Sequence, residues 1–412
     1  EAARTLGRGP WRAFLGVAVP LARPAIAAGV ALALMETLAD YGTVYHFGVD
    51  TFTTGNYRAW FTMGDRVAAV QFSLVLVSFV LLVIALERIG RGGRRYSETR
   101  AGRPLAAINL TGWHAAAAVA LCTIPILFGF VVPAVTLIAL GISLNADWLD
   151  PRTLRLISNT LTLAFVGATA TVVVALVIAY ARRISRTKVT LILSHVASFG
   201  YAVPGSVIAV GLLIPFGMFD RWFHGVMVAL FSIPTGLLLT GTIAAVVFAY
   251  VVRFLAVALA GVDAGLERIA PSLDGASRTL GSGPMRTFCR IHAPLLTGGI
   301  LTAFLITFVD IMKELPATLI LRPFNFDTLA IRAHRLASDE RLEMASVPSM
   351  FIVLVGLIPV IILSRQITRS HRARLHGERA VSDAPEAALA PVEAVGDGGS
   401  TSAPVGPART AT

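Results

Sequence analysis

The chain has 412 residues, of which 55% are hydrophobic and only 14% are charged, and its formal net charge is +11 at pH 7. A soluble core of this length does not need so much apolar surface, so the composition excludes an ordinary soluble protein and indicates a polytopic membrane protein. Because the arginines cluster in short segments between apolar runs, the positive charge predicts cytoplasmic loops rather than nucleic-acid binding.

The first 21 residues recur in the second half of the chain. Residues 275–295 repeat residues 1–21 at a constant offset of 274 residues, as from Gly7 to Gly281. Identity of this density at one offset indicates an internal duplication. The positions that recur identically are Ala2, Arg4, Thr5, Leu6, Gly7, Gly9, Pro10, Arg12, Phe14, Pro20 and Leu21.

Each copy of the repeat predicts a helix, a tight turn and a second short helix. Gly7 supplies the left-handed conformation that ends a helix, and Pro10 tolerates the first position of the next one. The second short helix is expected to lead into a membrane segment at Pro20 or Pro294. Such a knob suits docking into a partner's groove. The alternative, an ordinary loop between helices, is disfavoured by the duplication.

Eight apolar runs are long enough to cross a bilayer, which takes about 20 residues in a helix. They cover residues 21–39, 68–86, 114–141, 157–181, 189–216, 226–252, 294–313 and 345–364. With this count, the basic segments 87–100, 182–188 and 365–379 fall on the same side as the two repeated loops. The positive-inside rule therefore places that side in the cytoplasm.

The spans predict an all-α polytopic membrane protein with two tandem halves. The first half is residues 1–86, with one loop and two spans, and a basic cytoplasmic linker follows at 87–112. The second half, 113–366, has six spans and its own loop at about 262–294. Since the chain has no signal peptide and opens inside a repeat, we interpret the first half as truncated at its N-terminus. The tail, 367–412, is expected to be disordered because it becomes rich in Ala, Pro, Gly and Ser.

Four acidic residues follow the two loops at matching positions. Glu36 and Asp40 are four residues apart, as are Asp310 and Glu314, so each pair shares one helix face. Ionisable groups at membrane depth usually face a cavity or each other, so the four are candidates for a translocation path. Their oxygens suit hard cations such as ferric iron. The alternative is that they cap helix ends or pair with Lys313 in the outer headgroup zone, and we assign no metal ligand.

The repeated loops resemble the cytoplasmic signature of membrane subunits of binding-protein-dependent ABC importers. The signature places Glu-Ala-Ala before a glycine and ends in an apolar residue and proline. By this resemblance the chain has two MetI-like permease halves whose loops couple to an ATPase. The residues so implied are Glu1, Ala2, Ala3, Gly7 and Pro20 in the first copy, and Gly275, Ala276, Ser277, Gly281 and Pro294 in the second. The second copy lacks the glutamate, and Asp274 lies one place earlier.

Two further segments resemble bacterial ferric iron importer permeases. Met312 to Ala330, followed by Ala337 to Arg341, is similar to their second half, and Met35 to Thr43 with Thr51 to Tyr57 is similar to their first. The resemblance implies a multi-pass protein of the bacterial inner membrane that transports ferric iron. Permeases for thiamine, phosphonates and polyamines share much of the pattern, so these cargoes remain alternatives.

The resemblance also implies partners. The sequence has no Gly-x-x-x-x-Gly-Lys-Ser/Thr phosphate loop, so we expect ATP to bind a separate ATPase dimer held at the two cytoplasmic loops. This chain is then a permease without cofactor or catalytic residue of its own. A periplasmic binding protein would dock near Thr51 to Asp65 and Pro323 to Asp339.

A carrier or membrane-embedded enzyme that works without an ATPase is the alternative from another class. It is disfavoured because the histidines form no catalytic arrangement. Those considered are His195, His224, His292 and His334, which are scattered singly along the chain.

Overall fold

The computed structural model describes residue 7 and residues 9–91, 110–143, 148, 150–185 and 187–382. These residues are mostly helical and include no strand. In chain order the helices are α1 (Pro10–Ala13), α2 (Val19–Ala39), α3 (Gly42–His46), α4 (Phe52–Tyr57), α5 (Arg66–Arg91), α6 (Trp113–Ile126), α7 (Val132–Ser143), α8 (Pro151–Ile184), α9 (Lys188–Ser198), α10 (Gly205–Phe231), α11 (Ile243–Glu267), α12 (Pro271–Thr279), α13 (Pro284–Thr287), α14 (Ala293–Met312), α15 (Pro316–Leu321), α16 (Leu329–Ser338) and α17 (Leu342–Ser382). The π-helical segments are Phe14–Ala18, Arg58–Thr62, Leu127–Val131 and Phe288–His292, and a 3₁₀ turn covers Gly200–Ala202.

Eight helices or helix pairs of the described chain are long and apolar enough to cross a membrane, which confirms the predicted all-α polytopic class and its span count. They are Trp11–Ala39, Arg66–Gly90, Trp113–Ser143, Pro151–Ile184, Gly205–Phe231, Ile243–Glu267, Pro284–Met312 and Leu342–Arg365. The predicted bounds of the fifth and sixth spans, 189–216 and 226–252, are wrong.

The predicted span 189–216 is interrupted because the helix breaks between α9 and α10, where the 3₁₀ turn Gly200–Ala202 lies. A Cβ atom on Gly200 would lie 1.8 Å from the carbonyl oxygen of Val252, so the turn packs directly on the backbone of α11. Pro204 is extended, with φ −55° and ψ 141°, and α10 begins after it. Hydropathy is continuous across this break and does not reveal it. The sixth span shifts as well, because Ser232 has a left-handed φ of 55° and ends α10.

The duplication holds for the structure as well as for the sequence. At the offset of 274 residues, α1 corresponds to α13, the π segment Phe14–Ala18 to Phe288–His292, and the start of α3 to the start of α15. The predicted second short helix is instead the beginning of a long one. The helix that starts at Pro284 continues through Pro294 to Met312, and the π-helical segment Phe288–His292 lies directly before α14 and this proline.

Three spans of the second half, α8, α11 and α14, form the centre of the bundle around the site. Small residues let their backbones approach closely. A Cβ atom on Gly261 would lie 2.8 Å from the Cβ of Ala303, and one on Gly265 would lie 3.3 Å from the Cα of Gly299. This packing fixes α11 against α14, and these helices carry charged residues of the site.

The two predicted halves, 1–86 and 113–366, belong largely to one compact unit that extends to Ile361. Of the predicted linker, residues 87–91 continue α5 and residues 92–109 lie outside the described residues. The second unit begins at Ile362, and its described part is the end of α17. Within the predicted tail, α17 continues as far as Ser382. Residues 383–412 lie outside the described residues.

Candidate functional site

A cavity of about 450 Å³ contains all four acidic residues singled out in the sequence, which come from both halves. Glu36 and Asp40 come from the end of α2 and the turn after it, and Asp310 and Glu314 from the equivalent place in α14 and its turn. Basic and aromatic side chains complete the wall. They are Arg253 of α11, Lys313 after α14, and the aromatic residues Tyr41, Tyr201 and Phe254.

Two of the four acids cap helices. Oδ1 of Asp40 accepts a hydrogen bond from the backbone N–H of Thr43 at 3.2 Å, in the first turn of α3. The Glu314 carboxylate accepts from the N–H groups of Ala317 at 2.8 Å and Thr318 at 3.0 Å, in the first turn of α15. Helix N-terminal N–H groups lack partners within the helix, so both acids satisfy donors that would otherwise be unpaired.

Glu314 also belongs to a buried ion pair. Its Oε1 lies 3.6 Å from Nη1 of Arg253, and the two residues are 5% and 8% exposed. Gly205, the first residue of α10, makes room for this pair. A Cβ atom there would lie 2.2 Å from Nη1 of Arg253 and 2.7 Å from Oε1 of Glu314. Glycine at this position therefore lets the start of α10 approach the ion pair.

The other two acids, Glu36 and Asp310, lie one helical turn earlier. Asp310 pairs with Lys313, whose Nζ lies 3.2 Å from Oδ1, as the alternative interpretation of the sequence expected. The position equivalent to Lys313 in the first half is Ala39, so this cation breaks the symmetry of the two halves. No three His, Cys, Asp or Glu side chains in the described parts of the chain are placed to hold one metal ion together.

The segments that follow α2 and α14 in the two halves pack against each other beside the cavity. Tyr41 stacks on Tyr57 with ring centroids 3.8 Å apart, and the Tyr57 hydroxyl donates to the carbonyl oxygen of Pro316. His334 of α16 packs on Tyr41 and Tyr45, with centroid distances of 5.3 and 5.4 Å. Burial, and then the neighbouring charge of Arg335, lower the pKa of His334 below its usual range.

A second cavity, of about 980 Å³, also has Tyr201 in its wall. Its wall includes the middle of α2, the end of α5 and residues of α9. At its mouth, the Arg88 guanidinium lies 5.8 Å from the ring centroid of Phe199. Tyr201 lines both cavities, so this half-buried side chain stands between them.

The repeated loops adopt the predicted turn. Gly281 has a φ of +74° and Gly7 a φ of +78°, in the left-handed region, and helices begin shortly afterwards at Pro284 and Pro10. In the second copy, Ser277 is buried and its hydroxyl lies 2.7 Å from that of Thr287, which ties α12 to α13.

The remaining predicted coupling residues are arranged as follows. Gly275 and Ala276 are exposed on α12, and Pro20 and Pro294 occupy the second positions of α2 and α14. Glu1, Ala2 and Ala3 lie outside the described residues.

Asp274 anchors α12 to the bundle. Its carboxylate lies 2.9 Å from Nε of Arg183 and 2.7 Å from Nε2 of His292. The Arg183 guanidinium also donates to the carbonyl oxygen of Leu266 at 2.7 Å, in the last turn of α11, and to that of Ile269 at 3.1 Å, just after this helix ends. These contacts fix one side of α12 against the bundle, while Leu280 and Met285 remain 83% and 72% exposed.

Sequence reasoning did not single out Arg253 or Tyr201. Arg253 is the one charged residue between Ile243 and Val262, and a charge inside an apolar run is a signal that could have identified it. Tyr201 carries no comparable signal, because its position depends on the break between α9 and α10.

Known proteins resemble this chain over most of its length. The family model described as "Binding-protein-dependent transport system inner membrane component" matches residues 1–95 and 167–376. The Fe(3+)-transport system permease protein FbpB 2 of Haemophilus influenzae is 26% identical over 370 residues, covering 89% of this chain and 70% of the relative. The ferric transport system permease protein FbpB of Actinobacillus pleuropneumoniae is 25% identical over 387 residues, covering 88% of this chain and 53% of the relative. The chain thus spans about half the length of the second relative.

A solved structure supports the same fold. The bacterial alginate ABC transporter, in complex with its alginate pentasaccharide-bound periplasmic protein, aligns with a TM-score of 0.50 and 17% identity, covering 62% of this chain and 95% of that one. The family match, which covers more than half of the sequence, identifies the chain as a member of the family of binding-protein-dependent transport system inner membrane components.

Proposed function

We propose that this chain is the membrane permease of an ABC importer that takes up ferric iron from a periplasmic binding protein across the bacterial inner membrane. The observation that carries the proposal is the duplicated loop, whose left-handed glycines form the same turn beside each half of one bundle. Relatives along most of the chain are named ferric transport permeases, which supports iron as the cargo.

A separate ATPase dimer would hold the two loops. In the second copy, α12 and its turn offer Leu280 and Met285 as exposed apolar contacts outside the anchored face. Asp274 links α12 to Arg183 of α8, which also binds the end of α11, and to His292, which directly precedes α14. A displacement of the turn by the ATPase would therefore be transmitted to α8, α11 and α14 together. ATP-driven closure of the ATPase would thereby swing the halves between outward and inward states.

The cargo path would run through the two cavities. We call the cavity of about 450 Å³, which the acidic pairs of both halves line, the outer cavity, and the cavity of about 980 Å³, which α2, α5 and α9 line, the inner cavity. Since Tyr201 lines both, cargo moving from one cavity to the other would pass its side chain. Glu36 and Asp310 supply carboxylate oxygens to the outer cavity, the type of ligand preferred by hard cations.

The binding protein would dock on the outer segments of both halves. Between Thr51 and Asp65, Phe61 and Met63 are 55% and 67% exposed, and Phe324 in the other half is 96% exposed. Apolar side chains of this kind on a polar segment suit a protein partner.

Uptake of labelled substrates by a deletion strain tests the proposal. Loss of this chain should lower accumulation of ⁵⁵Fe(III) and leave [³H]thiamine accumulation unchanged, and a plasmid copy should restore iron uptake. The reverse pattern would assign the permease to the thiamine alternative. Purification of the tagged chain should bring down an ATP-hydrolysing subunit, and transport without such a subunit would contradict the ABC mechanism.

A further inference from the structure

Arg253 is a buried cation whose donors are not fully used. It is 8% exposed, and its Nε and Nη1 atoms make no hydrogen bond to any described residue, although Nη1 lies 3.6 Å from Oε1 of Glu314. Leaving a buried charged donor unpaired is unfavourable. Since Arg253 lines the outer cavity, a ligand in that cavity could accept from it.

The start of α10 lies against the same guanidinium. Nη1 of Arg253 would be 2.2 Å from a Cβ atom on Gly205, the first residue of this 27-residue helix. The next residue, Ser206, is 1% exposed and its hydroxyl has no hydrogen-bond partner among the described residues. A helix N-terminus and an arginine both favour an oxyanion, the helix through its N–H groups and partial positive charge, and arginine through its planar fork of donors.

The wall of the cavity carries both signs of charge. Lys313 adds a second cation, which pairs with Asp310 at 3.2 Å and whose side chain is 55% exposed, while Glu36 and Asp310 are the acids that do not cap a helix in the described structure. A bare trivalent cation would be repelled by the two cations, and a bare anion would be repelled by the two acids. A metal ion that carries an oxyanion ligand can satisfy both sets.

We propose that the outer cavity accepts its cargo as a metal–oxyanion complex, with Arg253 and Lys313 directed to the oxyanion and Glu36 and Asp310 to the metal. The oxyanion is a small carboxylate or phosphate. This inference rests on the proposed transport function and adds the anionic ligand of the cargo.

Equilibrium dialysis against the full chain in lipid nanodiscs tests the inference without iron or ATPase. The probes are terbium(III) chloride as a hard trivalent cation, [¹⁴C]citrate alone, [³²P]phosphate alone, and an equimolar terbium–citrate mixture. The complex should be retained at least about tenfold more tightly than any single component, because it alone engages both sets of charges. Lys313→Gln should weaken retention of the complex by about tenfold, since one charge-assisted contact is lost. The matched control Lys188→Gln, at the exposed start of α9, should bind as the wild type does.

Three results would overturn the inference. Terbium alone bound as tightly as the complex would indicate a site for bare cations. Citrate or phosphate alone bound as tightly as the complex would indicate a site for free oxyanions. Equal retention of the complex by Lys313→Gln and by wild type would contradict the role assigned to the cations. Lys313 is chosen for this test because its side chain is exposed, whereas a variant of the buried Arg253, such as Arg253→Gln, could fail to fold. If binding behaves as expected but cells show no iron uptake, the proposed cargo metal is wrong and the site stands.

Discussion

Asp40 and Glu314 occupy equivalent positions in the two halves, and each caps the short helix that begins two residues later. The Asp40 carboxylate accepts from Thr43 N–H at 3.2 Å, and that of Glu314 accepts from Ala317 N–H at 2.8 Å. One turn earlier, Glu36 and Asp310 line the same cavity. The duplication thus preserves one pair of acids that caps short helices and one pair that lines the cavity without capping a helix.

Neutralising Glu314 should destabilise the protein. Glu314→Gln leaves Arg253 buried without its ion-pair partner, and we expect a loss of about 3 kcal/mol in the free energy of unfolding. Asp40→Asn should lose less than about 1 kcal/mol, since asparagine is also a good helix cap. Thermal unfolding of the purified variants in one detergent measures both. Equal losses in the two variants would show that the buried ion pair contributes no more to stability than a helix cap alone.

Neutralising the other pair should affect transport more than stability. The double variant Glu36→Gln with Asp310→Asn removes the two cavity acids without removing a cap, so ⁵⁵Fe(III) uptake should fall at least about tenfold, with a midpoint of thermal unfolding near that of wild type. Glu386→Gln in the tail is the matched neutralisation and should retain uptake. Similar uptake by the cavity and tail variants would argue against a path past these acids.

The turn of the second loop should tolerate a methyl group at one glycine and not at another. Neither Gly281 nor Gly283 has an atom within 4 Å of a Cβ position, but only Gly281 has a positive φ, +74°. Gly281→Ala should strain the turn by about 1–2 kcal/mol and lower transport-coupled ATP hydrolysis. Gly283→Ala should be close to wild type. Coupling retained in Gly281→Ala would mean that the left-handed turn is not required for docking.

The turn between α9 and α10 should depend on the absence of a side chain at Gly200. Gly200→Ala would place Cβ 1.8 Å from the Val252 carbonyl oxygen, so the turn must move away from α11 and the yield of folded protein should fall. Gly211→Ala is the control in α10, where no atom lies within 4 Å, and it should be stabilising by up to about 1 kcal/mol. Monodisperse yield after detergent extraction compares the two. Normal yield of Gly200→Ala would show that the turn can relax.

The contact between the halves at His334 should weaken in acid. Burial and the charge of Arg335 lower the pKa of this imidazole in the folded protein, so the unfolded chain takes up its proton first as pH falls. Stability contributed here is present above the unfolded value of about 6.5 and decreases below it, down to the folded pKa. The drop in unfolding temperature from pH 7.5 to 5.5 should therefore be smaller in His334→Phe, which keeps a ring against Tyr41 and Tyr45. The exposed His46→Phe is the control, and an unchanged drop in His334→Phe would exclude this residue as the source.

The sequence predicts most of what depends on the repeat. Gly7 and Gly281 have the left-handed conformation expected of a glycine that ends a helix, and the acids at the offset of 274 residues meet in one cavity. These features follow from local chemistry that occurs twice. The starts of α3 and α15 are also equivalent, at Gly42 and Pro316, although no motif in the sequence pointed to these short helices.

What the sequence does not predict depends on contacts between distant residues. The break before Gly205 lies within a continuous apolar run, and it is fixed by the close approach of Gly200 to Val252 and by Pro204. The capping role of Glu314 was one of two alternatives until the carboxylate was seen to face the N–H groups of α15. Tyr201 gains its place between two cavities only once both halves are assembled.

The most direct test is ATP-dependent accumulation of ⁵⁵Fe(III) in proteoliposomes that contain this chain with its co-purified ATPase and the iron-loaded binding protein. We predict accumulation with the wild-type chain that needs ATP and all three components, and its loss in Gly281→Ala but not in Gly283→Ala. Accumulation that continues without the ATPase, or that both glycine variants support equally, would contradict a permease driven through its duplicated loops.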